Sequence, residues 1–128
     1  MDAAAAQALL KGACLQQASP ADKIMQATER AGYLDIAGLN LQFDRGHLAV
    51  FNPLRLLCDS GVALSLQALI GCRITSVSIS EDDLELLFDD RLLLRISLRD
   101  EDYTGPEAAV FYAPPDTGCV NAAPLMVF

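Results

Sequence analysis

The sequence is short of the residues that many functional sites need. It has no Trp, one His and only eight aromatic residues, so a base-stacking surface for single-stranded nucleic acid is not expected. Its glycines are dispersed, and neither G-x-G-x-x-G nor G-x-x-x-x-G-K occurs, which removes the common phosphate-binding loops. The cysteines are too widely spaced for a C-x-x-C or zinc-knuckle pattern. We therefore expect no cofactor and no metal site; the cysteines are Cys14, Cys58, Cys72 and Cys119.

Positive charge is also scarce. Lys and Arg number 9 against 17 Asp and Glu, which gives a formal net charge of −8. Nucleic acid and anionic membrane surfaces are poor partners for such a chain. A basic protein is an electrostatically suitable partner, although a charge that only maintains solubility is the other interpretation.

Long apolar runs are absent as well. No run approaches the ~20 residues that a membrane helix requires. Asp2 stands where a secretory signal would carry a cation, so we expect a cytoplasmic protein.

What is present indicates a single α+β domain over residues 1–128. Residues 1–18 begin with good helix formers and predict a helix that could be peripheral. Ser19-Pro20 resembles a helix start, and Gly32 resembles a stop, so we predict a second helix from Pro20 to Ala31.

Apolar residues then recur with a period of two. Residues 39–50 predict a hairpin, and residues 73–98 predict a three-stranded meander. Weaker strand signals follow at 107–112 and 125–128. We expect a mainly antiparallel sheet of five to seven strands, with one or two N-terminal helices packed on one face and the helix at 20–31 covering the apolar side. The outward side of the meander carries Glu85, Arg91, Arg95 and Arg99, together with Leu87 and Leu93.

One pattern occurs twice. Residues 39–44 and 84–89 both read L-x-L-x-F-D, and the turn after the first copy looks one residue longer because of Gly46. A duplicated unit is one interpretation. Chance recurrence of a common hairpin pattern is the other, and the sequence alone favours it.

Candidate site residues carry no distinctive catalytic motif. His47, Cys58 and Asp59 could form a nucleophilic site, but nothing in the local sequence activates the thiol, so we lean against an enzyme. A cleft between helix and sheet would draw its polar groups from His47, Arg55, Tyr103 and Glu107. An acidic docking surface for a protein would use Glu81, Asp82, Asp83, Asp89 and Asp90, together with the loop at 100–102.

Three segments carry a resemblance. They are Phe51-Asn52-Pro53-Leu54-Arg55-Leu56, residues 69–77 (LIGCRITSV) and Tyr103-Thr104-Gly105-Pro106-Glu107-Ala108. The arrangement resembles small uncharacterised bacterial proteins with N-P-W-R, L-x-G-x-x-V-x-x-V and G-P-E-A patterns, some of which are similar to immunity proteins of toxin systems. In this chain Leu54 follows Asn52-Pro53 where that pattern has Trp. The resemblance implies a non-catalytic protein-binding module and assigns no catalytic residue.

Two further functions stay open. One is a small-ligand-binding domain or enzyme with a cleft between helix and sheet. The other is a homodimer that pairs sheets through Leu87 and Leu93.

Overall fold

The computed structural model describes residues 3–20, 28–30, 33–58, 66–103, 105–112 and 124–128. These ranges contain one α-helix, α1 (Ala3–Leu10), and two short 3-10 turns, Leu66–Leu69 and Asp100–Asp102. They also contain eleven strands: β1 (Leu15–Pro20), β2 (Thr28–Arg30), β3 (Tyr33–Ile36), β4 (Leu39–Phe43), β5 (Gly46–Val50), β6 (Leu54–Cys58), β7 (Ile74–Ile79), β8 (Asp83–Phe88), β9 (Leu92–Ser97), β10 (Ala109–Tyr112) and β11 (Pro124–Val127).

The strands form two antiparallel sheets around one hydrophobic core. The first sheet has the order β1-β4-β5-β10-β11, and the second has the order β2-β3-β6-β9-β8-β7. Buried side chains of both sheets belong to one cluster. The rings of Phe43 in the first sheet and Phe88 in the second are stacked, with their centroids 6.3 Å apart. The expectation of a mainly antiparallel, sheet-rich fold is confirmed, but a single sheet of five to seven strands is wrong.

The period-two pattern predicted the hairpins correctly. The predicted hairpin is β4 and β5, and the predicted meander is β7, β8 and β9. Leu84, Leu86 and Phe88 are fully buried, while the residues between them are partly exposed. Each such side chain stabilises the fold by roughly 1.5–3 kcal/mol when it leaves water.

The helix predicted from Pro20 to Ala31 is wrong at both ends. Residues 15–20 form β1, in which Pro20 lies opposite Leu39, and residues 28–30 form β2. Because β1 is an edge strand, a Pro without an N–H group is tolerated there. The Ser19-Pro20 signal for a helix start is thus also compatible with the end of an edge strand. Residues 21–27 and 31–32 lie outside the described residues.

The N-terminal helix is shorter and better packed than the peripheral helix expected over residues 1–18. It ends at Leu10, and Gly12 follows with a φ of +88°, a left-handed conformation that costs Gly little. Ala6 and Leu10 have no exposed surface, and the helix contacts β7. The helix therefore covers part of the second sheet.

Two arginines close the C-terminal end of α1. Arg45 donates a hydrogen bond to the carbonyl oxygen of Lys11 at 2.8 Å, and Arg73 donates one to that of Gly12 at 3.0 Å. A cation at this position interacts favourably with the helix dipole.

The two sheets are joined where β1 and β7 begin. Cys14 and Arg73 form an antiparallel bridge. The Leu15 N–H group donates to the Cys72 carbonyl at 2.9 Å, and the Ile74 N–H group donates to the Ala13 carbonyl at 3.0 Å. We call this connection the joint.

An aspartate closes each side of the joint. Asp44 accepts a hydrogen bond from the Cys14 N–H group at 2.9 Å and returns one from its own N–H group to the Cys14 carbonyl at 3.0 Å. Asp89 makes the same two bonds with the backbone of Arg73, both at 2.9 Å. The bond from the Arg73 N–H group lowers the pKa of the Asp89 carboxyl.

Both copies of the L-x-L-x-F-D pattern therefore end in the same clamp, and their registers match as well. Phe43 lies opposite Leu15 and Phe88 lies opposite Ile74, and in each case the register shifts directly afterwards.

The correspondence extends to the next strand of each sheet. After β5 the chain enters the second sheet as β6, beside β9, and after β9 it enters the first sheet as β10, beside β5. The Phe51 N–H group donates to the Ala108 carbonyl at 2.8 Å, and the Ser97 N–H group donates to the Pro53 carbonyl at 3.0 Å, at matching positions. The match over several strands favours a duplicated unit over chance recurrence.

The two hairpin turns differ in length, in the opposite sense to the expectation. Gly46 lies opposite Phe43 inside the strand, so the first turn has two residues, whereas Phe88 lies opposite Leu92 and the second turn has three. A Cβ atom on Gly46 would collide with the backbone oxygen of Tyr112 and crowd the ring of Phe111. Gly46 is therefore part of the packing and not an insertion in the turn.

Candidate functional site

The outer face of the second sheet carries a row of four charged side chains on four adjacent strands. Asp35 on β3 lies opposite Arg55 on β6, Arg55 lies opposite Arg95 on β9, and Arg95 lies opposite Glu85 on β8. We call these four residues the charged row. Two like charges directly opposite one another destabilise a sheet, and here each Arg is neutralised by the acid on its other side.

Arg55 is held by two residues, Asp35 and Tyr33. Its Nε donates to Asp35 Oδ1 at 2.7 Å, and its Nη2 donates to Asp35 Oδ2 at 3.4 Å. Its guanidinium carbon lies 3.9 Å from the centroid of the Tyr33 ring, which is within the range of a cation–π interaction. The hydrogen bond with Asp35 raises the pKa of Arg55, which stays charged at every physiological pH.

Arg95 is held more loosely. Its Nε and Nη2 groups both lie 3.2 Å from Glu85 Oε2. The Arg95 and Glu85 side chains are 41% and 32% exposed, so water screens the attraction and the guanidinium group stays accessible.

A groove of about 550 Å³ opens beside the charged row. Its walls carry three cations and three anions, from Arg55, Arg95, Arg99, Asp35, Asp83 and Asp102. Apolar surface from Ile36, Ala37, Pro53 and Leu54 completes it. The volume is that of a small-molecule site, and three of the chain's nine Lys and Arg residues line it.

Ser97 organises one end of the groove. Its hydroxyl donates to Asp102 Oδ2 at 2.5 Å and accepts a bond from the Arg99 N–H group at 3.3 Å. Asp83 lies opposite Ser97 on the neighbouring strand. The 3-10 turn at 100–102 thereby brings a carboxylate back to the end of β9.

An apolar strip lies next to the charged row on the same outer face. Tyr33 lies opposite Leu57, Leu57 opposite Leu93, and Leu93 opposite Leu87, so the strip crosses four strands. All four side chains are partly exposed. The prediction that Leu87 and Leu93 share an outward face is confirmed.

The four residues expected to form a ligand cleft do not all meet in this groove. Arg55 lines it, but His47, Tyr103 and Glu107 are not among the described residues of its lining. His47 lies on β5 in the first sheet, where its ring stacks on Tyr112 with the centroids 6.1 Å apart. Tyr103 packs against the core, and Glu107 precedes β10 and is partly exposed. The groove lies on the outside of a sheet and not between helix and sheet.

The five acidic residues expected to form one docking surface fall at the two ends of β8. Glu81, Asp82 and Asp83 lie at its start, and Asp89 and Asp90 lie in the turn after it. Asp83 and Asp89 are six positions apart along an extended chain, which separates the groups by roughly 20 Å. The group at 81–83 instead neighbours the turn at 100–102, since the Leu98 N–H group donates to the Asp82 carbonyl at 2.8 Å.

Sequence reasoning missed Asp35 and Ser97 as site residues, and it placed the loop at 100–102 in an acidic patch without linking Asp102 to this groove. Asp35 lies in β3, whose four residues give too little alternation to be recognised as a strand. Arg95 and Arg99 were placed on the outward face, but no local signal showed that they share a groove with Arg55.

The two cysteines whose side chains are described are free thiols in different surroundings. Cys14 is partly exposed, whereas Cys72 is buried and its thiol donates to the Ala68 carbonyl at 3.3 Å. Burial raises the pKa of the Cys72 thiol, which disfavours the reactive thiolate. The Cys58 side chain and Asp59 lie outside the described residues, as does the nucleophilic site considered for them.

In the described part of the chain, no three His, Cys, Asp or Glu side chains are grouped so that they could hold a metal ion. No described helix has the length and apolar character needed to cross a membrane. No protein-family model, curated protein or solved structure matches the chain.

Proposed function

We propose that the protein is a non-catalytic, cytoplasmic protein-binding module that docks a partner on the outer face of its second sheet. The observation that carries this proposal is the apolar strip of Tyr33, Leu57, Leu93 and Leu87, which crosses four strands and stays partly exposed. A central apolar area bordered by charged groups is the usual composition of a protein interface.

The charge around the strip selects the kind of partner. Acidic residues at 81–83 and 100–102 border the same face, and the whole chain has a net charge of −8. A basic protein surface with an apolar centre would approach faster and dock in one orientation. A basic toxin is such a partner, in keeping with the resemblance to immunity proteins. A toxin gene next to the gene for this protein would support that assignment.

A second copy of the chain is a weaker candidate for the same face. Pairing two copies through Leu87 and Leu93 would bring two chains of charge −8 together, along with their acidic borders. A mass measurement in solution that gives a strict monomer would exclude this homodimer.

The proposal is tested by exchanging residues between the two sheets. Gln42 and His47 lie opposite each other in the first sheet, at the positions that match Leu87 and Leu93. The variant Leu87→Gln with Leu93→His therefore places side chains that the hairpin accepts on the docking face. We expect affinity capture from a lysate of the source organism to retain a basic partner with the wild type and to lose it with this variant.

The matched control is Gln42→Glu, which alters an exposed residue of the first sheet. It should retain the partner, and added salt should weaken retention by the wild type. A partner that remains bound to the Leu87→Gln, Leu93→His variant would overturn the proposal.

Small-ligand binding is a second candidate, favoured by the volume of the groove. Its lining contains both charge signs and apolar surface, which together could orient a small molecule.

A further inference from the structure

Two charged groups of the groove have no hydrogen-bond or ion-pair partner among the described residues. Arg55 is bonded to Asp35, and Arg95 is bonded to Glu85. The guanidinium of Arg99 and the carboxylate of Asp83 make no hydrogen bond or ion pair with another described residue. One cation and one anion of the groove are thus available to a ligand.

Regular structure holds these two open groups near each other. Asp83 lies opposite Ser97 on the adjacent strand, about 4.8 Å away across the sheet. Arg99 follows Ser97 by two residues, about 7 Å along an extended chain. The backbone N–H group of Arg99 donates a hydrogen bond to the Ser97 hydroxyl. The backbone positions of the two residues are therefore separated on the scale of one or two amino acid residues.

The remaining groups exclude ligands of a single charge sign. A phosphate or a dicarboxylate would approach Arg99 but would also face Asp35, Asp83 and Asp102. A metal cation would approach Asp83 but would face three guanidinium groups. A ligand with one charge of each sign meets a favourable partner for both, because the lining is balanced at three against three.

We propose that the groove binds a zwitterion of the amino acid or short peptide class. Its carboxylate pairs with Arg99, in the bidentate geometry that guanidinium groups favour. Its ammonium group lies between Asp83 and Asp102, and its side chain contacts the apolar surface of Pro53 and Leu54. The proposal deepens small-ligand binding, the second candidate function, and does not depend on the protein-docking face.

Binding is measured by calorimetry on the full chain with four probes: free alanine, dialanine, N-acetyl-dialanine and dialanine amide. The acetylated probe keeps only the carboxylate, and the amide keeps only the ammonium group. We expect at least one of the two zwitterions to bind at least 10-fold more tightly than either single-charge probe. Tighter binding of alanine would identify a free amino acid as ligand, and tighter binding of dialanine would identify a peptide.

Two variants assign the contacts. Arg99→Gln should weaken zwitterion binding at least 10-fold and leave the amide unaffected, whereas Asp83→Asn should weaken it and leave the acetylated probe unaffected. Glu101→Gln is the matched control. Glu101 is exposed on the turn at 100–102, next to Arg99, but does not line the groove. It should bind like the wild type, and a circular dichroism spectrum of each variant confirms that it folds.

The proposal is overturned if no probe binds the wild type at millimolar concentration, if the four probes bind equally, or if Arg99→Gln binds zwitterions unchanged. These outcomes say nothing about capture of a protein through Leu87 and Leu93. Failure of the groove proposal and failure of the docking proposal can therefore be told apart.

Discussion

The two sheets have matching strand registers but opposite chemistry on their outer faces. In the second sheet the central row is charged: Asp35, Arg55, Arg95 and Glu85. The matching row of the first sheet is mostly apolar: Val127, Val110, Ala49 and Asn40. Val110 and Ala49 are buried outside the main core cluster, whereas the Arg55 and Arg95 side chains are 44% and 41% exposed.

This difference shows whether the fold requires the charged row. Because one register accepts either Val110 and Ala49 or Arg55 and Arg95, the backbone does not require charge at this row. Two arginines placed opposite each other add little stability at an exposed site. The charged row is therefore better explained by binding than by folding.

The largest expected effect tests whether the two halves share one core. Phe43→Ala and Phe88→Ala each remove one ring of the stacked pair, and each should lower the free energy of unfolding by about 3–5 kcal/mol. Chemical denaturation would measure both. The double variant should lose less than the sum of the two, by roughly 0.5–1.5 kcal/mol. Fully additive losses would show that the rings do not interact.

Gly46 marks a place where the halves differ inside the core. The corresponding position in the second hairpin is Leu92, whose side chain is buried. A Cβ atom on Gly46 would instead collide with the Tyr112 carbonyl. Gly46→Ala should lower the free energy of unfolding by about 1–3 kcal/mol, measured by denaturation. Gly105→Ala is the control, because a Cβ atom there meets nothing within 4 Å, and it should change little.

The two aspartate clamps offer a closer comparison. Asp44→Ala removes one backbone-to-carboxylate bond and should cost about 1 kcal/mol. Asp89→Ala should cost more, about 1–2 kcal/mol, because Asp89 has a φ of 51° that Ala adopts less readily. Equal losses from the two variants would contradict this reasoning.

The Asp89 clamp should also respond to pH. The pKa of Asp89 is lowered by folding, so its carboxylate stabilises the native state above the unfolded-state pKa of about 4. That contribution is lost as the pH falls through the lower folded-state pKa. Asp89→Asn keeps an acceptor without the charge, so its deficit relative to the wild type should be present at neutral pH and vanish in acid. A deficit that persists in acid would rule out the charge as its source.

The smallest expected effect concerns the charged row itself. Arg55→Val with Arg95→Ala gives the second sheet the two residues of the first, and the free energy of unfolding should change by less than about 1 kcal/mol. Zwitterion binding in the groove should weaken in the same variant, because two of the three cations that balance its aspartates are gone. A loss of several kcal/mol in stability would mean that the row is structural after all.

The sequence predicts those parts of the fold that depend on local alternation. The strand at residues 84–88 can be predicted from the sequence, because Leu84, Leu86 and Phe88 recur with a period of two. Glu85 and Arg95 could also be placed on one outward face, since neighbouring strands of a hairpin have a fixed register.

The remaining features depend on contacts between distant residues. Asp35 meets Arg55 only because β3 pairs with β6, and no local pattern predicts that pairing. Asp102 reaches Ser97 only because a short turn folds back over the strand end. The predicted helix at 20–31 failed for a related reason: Ser19-Pro20 suits a helix start locally, but pairing with β4 overrides that preference.

The exchange of strands between the sheets has a consequence for how this chain can be divided. Each hairpin depends on a strand delivered by the other half: β6 closes against β9, and β10 closes against β5. A fragment that ended after β6 would contain the β4–β5 hairpin without its neighbour β10. It would also contain β6 without the hairpin of β8 and β9 against which β6 pairs. Synthesis on the ribosome must therefore run past β9 before the second sheet can be completed and through β11 before the first can, and excised halves should regain structure only when mixed.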